Sequence, residues 1–393
     1  MTRFLVRTAG LCLAVCMLWP GRTLVAAQAS ATSAQIAGKM PALPAPTLTW
    51  DSKTQGAFVM SLCRGLDGSI WAGTEDDGVW RWDPKAPAGG QWTHFTTKDG
   101  LGDDDAYALA CDWTGCIWAG SLNHGVSVYN GMEWRNYDLL TGPLGSRVFA
   151  IAICPTDGDV WMATDAGLAR YSLHWGTWTY YTRAEGLPSD QANALAFNRA
   201  GDLFVGTQCD GIAIGRAKDN YKKWAVVTGP EQMPNTPGGA GLPTNLINCL
   251  LASRAGTVYA GTTTGLARSE DDGKTWRYLR GADWEAKVLG LYHGPKPVDA
   301  DTHGHLMLED YVTALAEDDA GRLWIGYRQK GLEVVDEVTG NELAKYSDDY
   351  VTALTPGPLP RCVRGERGPR KRRHPACRAA DDRADSPSPT SFW

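Results

Sequence analysis

Along the chain, short apolar runs alternate with turns rich in Gly, Asp and Asn, and one such pattern recurs six times. A turn ending in Gly leads to an apolar–aromatic pair, a small residue, Gly or Ala, and Thr or a similar residue. It reads DGSIWAGT (Asp67 to Thr74), TGCIWAGS (Thr114 to Ser121) and DGDVWMAT (Asp157 to Thr164). It continues as AGDLFVGT (Ala200 to Thr207), AGTVYAGT (Ala255 to Thr262) and AGRLWIGY (Ala320 to Tyr327). The leading glycines (Gly68, Gly115, Gly158, Gly201, Gly256 and Gly321) are spaced by 47, 43, 43, 55 and 65 residues. A period in the forties is that of a four-stranded propeller blade, and the two longest intervals contain insertions.

Each repeat reads as four strands. An inner strand such as NALAF (Asn193 to Phe197) precedes the leading Gly, and a second strand such as DLFVGT follows it. A turn closed by Gly78, Gly125, Gly167, Gly211, Gly265 or Gly331 leads to a third strand such as GLARYS (Gly167 to Ser172). The fourth is marked by Trp92-x-x-Phe95, Trp134-x-x-Tyr137 and Trp178-x-x-Tyr181, with Trp224 and Trp276 at matching places. Glycine suits tight hairpins that demand a positive φ. The fixed register of Trp71, Trp118, Trp161, Phe204, Tyr259 and Trp324 assigns these aromatics to packing between blades rather than to sugar stacking. The expected fold is therefore an all-β β-propeller of four-stranded blades, six recognisable and a seventh begun.

Three stretches carry a family resemblance: Gly186 to Gly215, Gly241 to Ser269, and Asp310 to Asp336. The first, GLPSDQANALAFNRAGDLFVGTQCDGIAIG, resembles the two-component regulator propeller repeat, with its Gly-Leu-Pro-Ser-Asn turn, Gly-x-Leu-Trp-Ile-Gly-Thr strand and Gly-Leu-x-Arg-Tyr strand. The resemblance extends over roughly Val59 to Leu354. It implies an exported sensor-type propeller, either the periplasmic part of a hybrid histidine kinase or a stand-alone protein. SEDDGKTW (Ser269 to Trp276) is also similar to the Asp-box of sialidase-type propellers, which is a structural hairpin turn and not a catalytic motif.

Composition agrees with β structure: 45 Gly, 17 Trp and 14 Tyr, without a long helical period. The net charge of −6 is uneven. Arg3, Arg7 and Arg22 make the first 31 residues +3, the stretch from Arg361 onward carries +5, and the middle is left at −14. So acidic a body repels a phosphate backbone, which argues against nucleic-acid binding. Arg3 and Arg7 precede an apolar run from Ala9 to Trp19 and a small-residue stretch ending at Ala29. That is the order of a secretory signal, too short for a span that needs about 20 residues. The expected organisation is a signal peptide over 1–29, a leader over 30–47, the propeller over 48–355 and a tail over 356–393, in a periplasmic or secreted protein without a transmembrane segment.

Outside the signal and the tail lie Cys63, Cys111, Cys116, Cys154, Cys209 and Cys249. Only Cys111 and Cys116, flanking a tight turn, suggest a disulfide, and buried thiols suit the other four. No second Cys pair stands at zinc-ligand spacing, and neither a cofactor nor a metal is expected. In the insertion Gly281 to Asp310, Asp299, Asp301, His303, His305 and His293 could converge on a metal, but nothing fixes their geometry and a solvated loop is the better reading.

DDYVTAL (Asp348 to Leu354) repeats EDYVTAL (Glu309 to Leu315) and starts a seventh blade, after which the sequence turns basic and Pro-rich with no strand period. The abrupt change in mid-motif reads as an out-of-frame or truncated end, ahead of a basic interaction tail or a neutral extension.

One face of such a ring collects the turns between second and third strands and the connections into each inner strand. In the connections, one residue is nearly always Asp, Asn or Ser (Asp104, Ser146, Asp190, Asn245, Asp310), a structural Asx-type pattern. The next residue varies, as a site grafted on a constant scaffold would. The candidate ligand-binding residues are therefore Asp105, Arg147, Gln191 and Tyr311, with Asp76, His124 and Arg328 from the adjoining turns. The expected function is sensory binding of a small molecule or oligosaccharide, with a separate signalling partner. The alternatives are a propeller glycosidase or lyase, for which no catalytic constellation stands out, and a protein-interaction scaffold.

Overall fold

Period-two alternation of side chains decides how each repeat packs. Along the second strand of every blade one side carries the large aromatic and the other carries aliphatic residues such as Ile70 and Ala72, so both faces are buried. The computed structural model describes residues 58–87, 90–292, 307–337, 342–346 and 351–354. The expected signal peptide, leader and tail lie outside these residues, as do His293, Asp299, Asp301, His303 and His305.

Blade 1 comprises β1 (Phe58–Arg64), β2 (Ile70–Glu75), β3 (Val79–Trp82) and β4 (Trp92–Phe95). Blade 2 comprises β5 (Ala106–Cys111), β6 (Ile117–Ser121), β7 (Val126–Tyr129) and β8 (Trp134–Tyr137). Blade 3 holds β9 (Val148–Ile153), β10 (Val160–Thr164), β11 (Gly167–Ser172) and β12 (Thr177–Tyr181), and blade 4 holds β13 (Ala192–Phe197), β14 (Leu203–Thr207), β15 (Ile212–Gly215) and β16 (Trp224–Val227). Blade 5 runs through β18 (Ile247–Ala252), β19 (Val258–Thr262), β20 (Gly265–Ser269) and β21 (Arg277–Leu279), and an added strand, β17 (Gly238–Ala240), pairs outside β21. Blade 6 is β22 (Val312–Glu317), β23 (Arg322–Tyr327), β24 (Leu332–Asp336) and β25 (Glu342–Tyr346). All neighbouring strands are antiparallel, and the inner strands β1, β5, β9, β13, β18 and β22 succeed one another around the ring. A single α-helix is described, α1 (Trp284–Tyr292), in the insertion after blade 5.

The second-strand aromatics pack against the following blade as the register requires. Trp118 lies 5.3 Å from Tyr171 and Trp161 lies 4.6 Å from Tyr221, while Tyr181 of its own blade stacks on Trp161 at 5.1 Å. Burying each such side chain contributes roughly 2–3 kcal/mol. The Gly or Ala after the aromatic has a separate reason. A Cβ on Gly120, Gly206 or Gly261 would meet Val148, Ile247 or Val312 of the next inner strand at 2.5–2.6 Å. A bulge near the start of each inner strand aims that residue across the junction. Positive φ is needed in the turn to the third strand: at Gly167 it is 107°, and a Cβ there would stand 2.3 Å from the Tyr181 carbonyl oxygen.

None of the six described cysteines is in a disulfide. Cys111 belongs to the cluster between blades 1 and 2, whereas Cys116 belongs to the cluster between blades 2 and 3. The two thiols thus lie on opposite sides of one sheet, and the suggested disulfide does not form. In the Asp-box turn, Asp271 accepts bonds from Thr275 N (2.8 Å), Lys274 N (3.1 Å) and the Ser269 hydroxyl (2.9 Å), as a structural hairpin should.

Candidate ligand-binding face

The two loop sets leave the sheets at the same end because every strand pair is antiparallel. A repeated bond fastens them together. The N–H of the turn glycine donates to the connection leading into the next blade: Gly78 to Asp104 O (2.7 Å), Gly125 to Ser146 O (3.0 Å), Gly167 to Asp190 O (2.5 Å), Gly211 to Asn245 O (3.0 Å) and Gly265 to Asp310 O (2.8 Å). The side chains of four of these residues also accept from backbone beyond the outer strand. Thr97 N reaches Asp104 (2.7 Å), Arg183 N reaches Asp190 (2.8 Å), Gly229 N reaches Asn245 (2.6 Å) and Gly281 N reaches Asp310 (2.7 Å). These residues build the rim and have little capacity left for a ligand.

At blade 5 the rim is elaborated. Arg280 and Asp310, both without exposed side-chain surface, form a bidentate pair with bonds of 2.9 and 2.5 Å. The Arg280 guanidinium also donates to Pro234 O (2.6 Å), and Asp283 accepts from Asp310 N (2.7 Å). A buried charge needs its partner and further hydrogen bonds, and here they pin the two longest connections to each other.

The varying residues sit one step further along. Asp105 is half-buried and accepts from Asp76 N at 2.9 Å, with Asp76 at a φ of 60° in the neighbouring turn. Arg147 is exposed, and its backbone N–H donates to Asp165 at 3.3 Å. Gln191 is exposed, and its carbonyl accepts from Gln208 N at 3.2 Å. Tyr311 is half-buried beneath the exposed Arg328, whose guanidinium lies 5.0 Å from the ring centre, a cation–π contact. His124 is exposed, with Nδ1 3.4 Å from Asp103. The structure thus brings Asp76 to Asp105 and Tyr311 to Arg328, and places Arg147, Gln191 and His124 in separate blades of the same face.

Two contributors escaped sequence reasoning. Asp103 holds both His124 and Asn123 N (3.2 Å), and Arg183 approaches Asp210 at 3.9 Å. The signal for Arg183 was present: Thr182 and Glu185 form a capping box, as Thr96 and Asp99 do, and fix a one-turn helix on the rim. Chemically the face offers carboxylates around blades 1 and 2, guanidinium groups at Arg147, Arg183 and Arg328, and one phenol ring. That set can hydrogen-bond a polyhydroxylated or small polar ligand. Among the described residues no group of three His, Cys, Asp or Glu is placed to hold a metal ion.

The opposite face, built from turns between first and second strands, is tied down by charge pairs. Arg81 bonds Asp67 (2.9 Å), Arg170 bonds Asp157 (2.9 Å) and Asp159 (2.8 Å), Arg216 bonds Asp202 (2.9 Å), and Arg322 bonds Asp318 (2.6 Å). Arg170 also lies over Trp161 (5.3 Å) and Tyr221 (5.5 Å).

Six antiparallel sheets arranged radially, five of four strands and one with an added fifth, define the class: the protein is a β-propeller. One stretch of it, residues 307–329, matches the family model described as two component regulator propeller. No curated protein matches the chain in sequence. Among solved structures it is similar to an extracellular domain assigned to the hybrid two component system BT3049 of B. thetaiotaomicron, with 18% identity and a TM-score of 0.50 over 74% of this chain and 35% of that one. It is also similar to PorZ, an essential surface component of the type-IX secretion system of Porphyromonas gingivalis, with 18% identity and a TM-score of 0.51 over 73% of this chain and 41% of that one. An extracellular domain assigned to the one component system BT4673 of B. thetaiotaomicron matches with 16% identity and a TM-score of 0.42, over 73% of this chain and 41% of that one. The chain therefore spans well under half the length of these neighbours, and at such identities the likeness concerns the fold.

Proposed function

We propose that this chain is an exported ligand-binding propeller of the sensory kind, which recognises a small polar molecule or an oligosaccharide on the face described above. One observation carries the reading: on that face a constant set of residues is consumed by backbone bonds, while the adjacent positions Asp105, Arg147, Gln191 and Tyr311 change chemistry from blade to blade. A scaffold that is uniform and a rim that is not is the arrangement by which one fold serves different ligands. The signal-like N-terminus supports export. Among the described residues no helix is long and apolar enough to cross a membrane. The family-model match over residues 307–329 and the extracellular neighbour with a TM-score of 0.50 support a sensory role, with transmission left to a separate signalling partner.

A glycan array and a small-metabolite panel, each followed by calorimetry and an activity screen, test this reading. Saturable binding without turnover, weakened roughly tenfold to hundredfold by Arg147→Ala and by Tyr311→Ala, is the expected result. Turnover of a bound glycan, or binding indifferent to both substitutions, would contradict it.

A further inference from the structure

The junction between blade 6 and blade 1 differs from the other five. At those five, an apolar cluster is shared directly by two blades: Trp161 with Val205 and Tyr221, for example, or Tyr259 with Leu323 and Ile325. At the sixth, blade 6 turns Trp324, Leu332 and Val334 toward Val351, while blade 1 turns Ile70, Ala72 and Trp80 toward Ala353. Leu354 packs against both clusters.

The polar contacts keep the same count. Asn248 of β18 donates its side-chain amide to Val312 O of β22, 2.8 Å away. Thr313, at the matching position of β22, donates its hydroxyl to Val351 O. Thr352 donates in turn to Val59 O of β1. Three equivalent donors therefore step from β18 to β22, from β22 to residues 351–354, and from there to β1. The apolar contact repeats as well: a Cβ on Gly326 would meet Val351 at 2.7 Å, as one on Gly261 would meet Val312 at 2.6 Å.

We infer that residues 351–354 fill a seventh inner-strand position and clasp blade 6 to blade 1, closing the ring. Blade 1 is adapted to this neighbour. Trp80 stands in β3 where the register places Ser127, Ala169, Ala213 and Ala267 in blades 2 to 5 and Glu333 in blade 6, and each of the three alanines shares a cluster with the aromatic of the blade before. Tryptophan supplies from blade 1 the volume that an aromatic second strand supplies elsewhere. The clasp also reaches the candidate face, because Val351 N donates to Tyr327 O (3.1 Å), and the next residue is the Arg328 that covers Tyr311.

Hydrogen exchange on the full chain tests the clasp. In the unaltered protein the Val351 amide should exchange slowly. In Leu354→Asp, exchange should quicken in β1 and β22 together, while β9 and β13 keep their protection, and Tm should fall by about 10 °C. Thr352→Val, which keeps the shape and removes only the donor, should give a smaller change in the same two strands; it serves if Leu354→Asp does not fold. A Val351 amide exchanging at the rate of unstructured chain, or an effect of Thr352→Val confined to blade 6, would overturn the inference.

Discussion

The two faces of the ring are built from turns of similar length and polarity, yet they use their charges differently. On the face made by the first turns, arginine and aspartate are spent on one another. Asp159 is almost fully buried and bonded by Arg170 at 2.8 Å, and Arg170 itself lies over the rings of Trp161 and Tyr221. On the candidate face the regular carboxylates are spent on backbone N–H groups, while Arg147, Gln191, His124 and Arg328 stand exposed. One face is thereby a girdle and the other an adaptable surface. Counting charged residues would not separate them; their partners do.

Substitutions can break this contrast, and the largest effect should come from beneath the girdle. Trp161→Ala removes a fully buried ring between blades 3 and 4 and should cost about 3–5 kcal/mol in denaturant unfolding. Arg170→Ala should cost about 2–3 kcal/mol, since it strips a mostly buried carboxylate of its partner. Arg147→Ala and Gln191→Ala should change stability by no more than about 0.5 kcal/mol, whatever they do to binding. A large destabilisation by either would mean that the candidate face is scaffold after all.

The thiols sharpen the same distinction between scaffold and surface. Burial pushes the Cys111 thiol up to about 11 and Cys249 up to about 12, and it raises Cys63 and Cys154 as well. Cys209 is exposed in a turn of the candidate face. Brief native alkylation mapped by mass spectrometry should therefore mark Cys209 and spare Cys63, Cys111, Cys116, Cys154 and Cys249.

The smallest effect concerns the Asp-box. The N–H and hydroxyl of Thr275 hold the Asp271 carboxyl at about 2, below its ordinary value near 3.9. A depressed carboxyl stabilises the fold above about pH 4 and loses that contribution as pH falls toward 2. The Tm gap between the unaltered chain and Asp271→Ala should narrow over that window; a gap that stays constant would contradict the bonding described.

Most of the architecture was legible because each second strand repeats its alternation in one register. The aromatic, the small residue after it and the turn glycine all name their neighbours, and GLARYS proved to be β11 to the residue. The copy of Val312 and Thr313 in Val351 and Thr352 is the sequence trace on which the inferred seventh position rests. Other features left no periodic trace. β17 pairs through Gly238 and Ala240, which carry no strand propensity, and the Arg280–Asp310 pin joins residues 30 apart that sequence alone does not bring together. The turn between Cys111 and Cys116 does not set them opposite each other, because Cys111 pairs with Ile117 and the one-residue offset turns the two thiols to opposite faces. For the candidate face, sequence assigned residues to one end of the ring, and only the structure set Tyr311 beneath Arg328 and Asp105 beside Asp76.

The most direct test is hydrogen-exchange mapping of the full chain with and without a ligand identified by the glycan or metabolite screen. Added protection should concentrate in the segments holding Asp76, residues 103–105, Arg147, Gln191, Tyr311 and Arg328. The turns holding Asp67, Asp159, Asp202 and Asp318 should be unchanged. Protection centred on those turns, with the candidate face unaltered, would place recognition on the wrong side of the ring for this account.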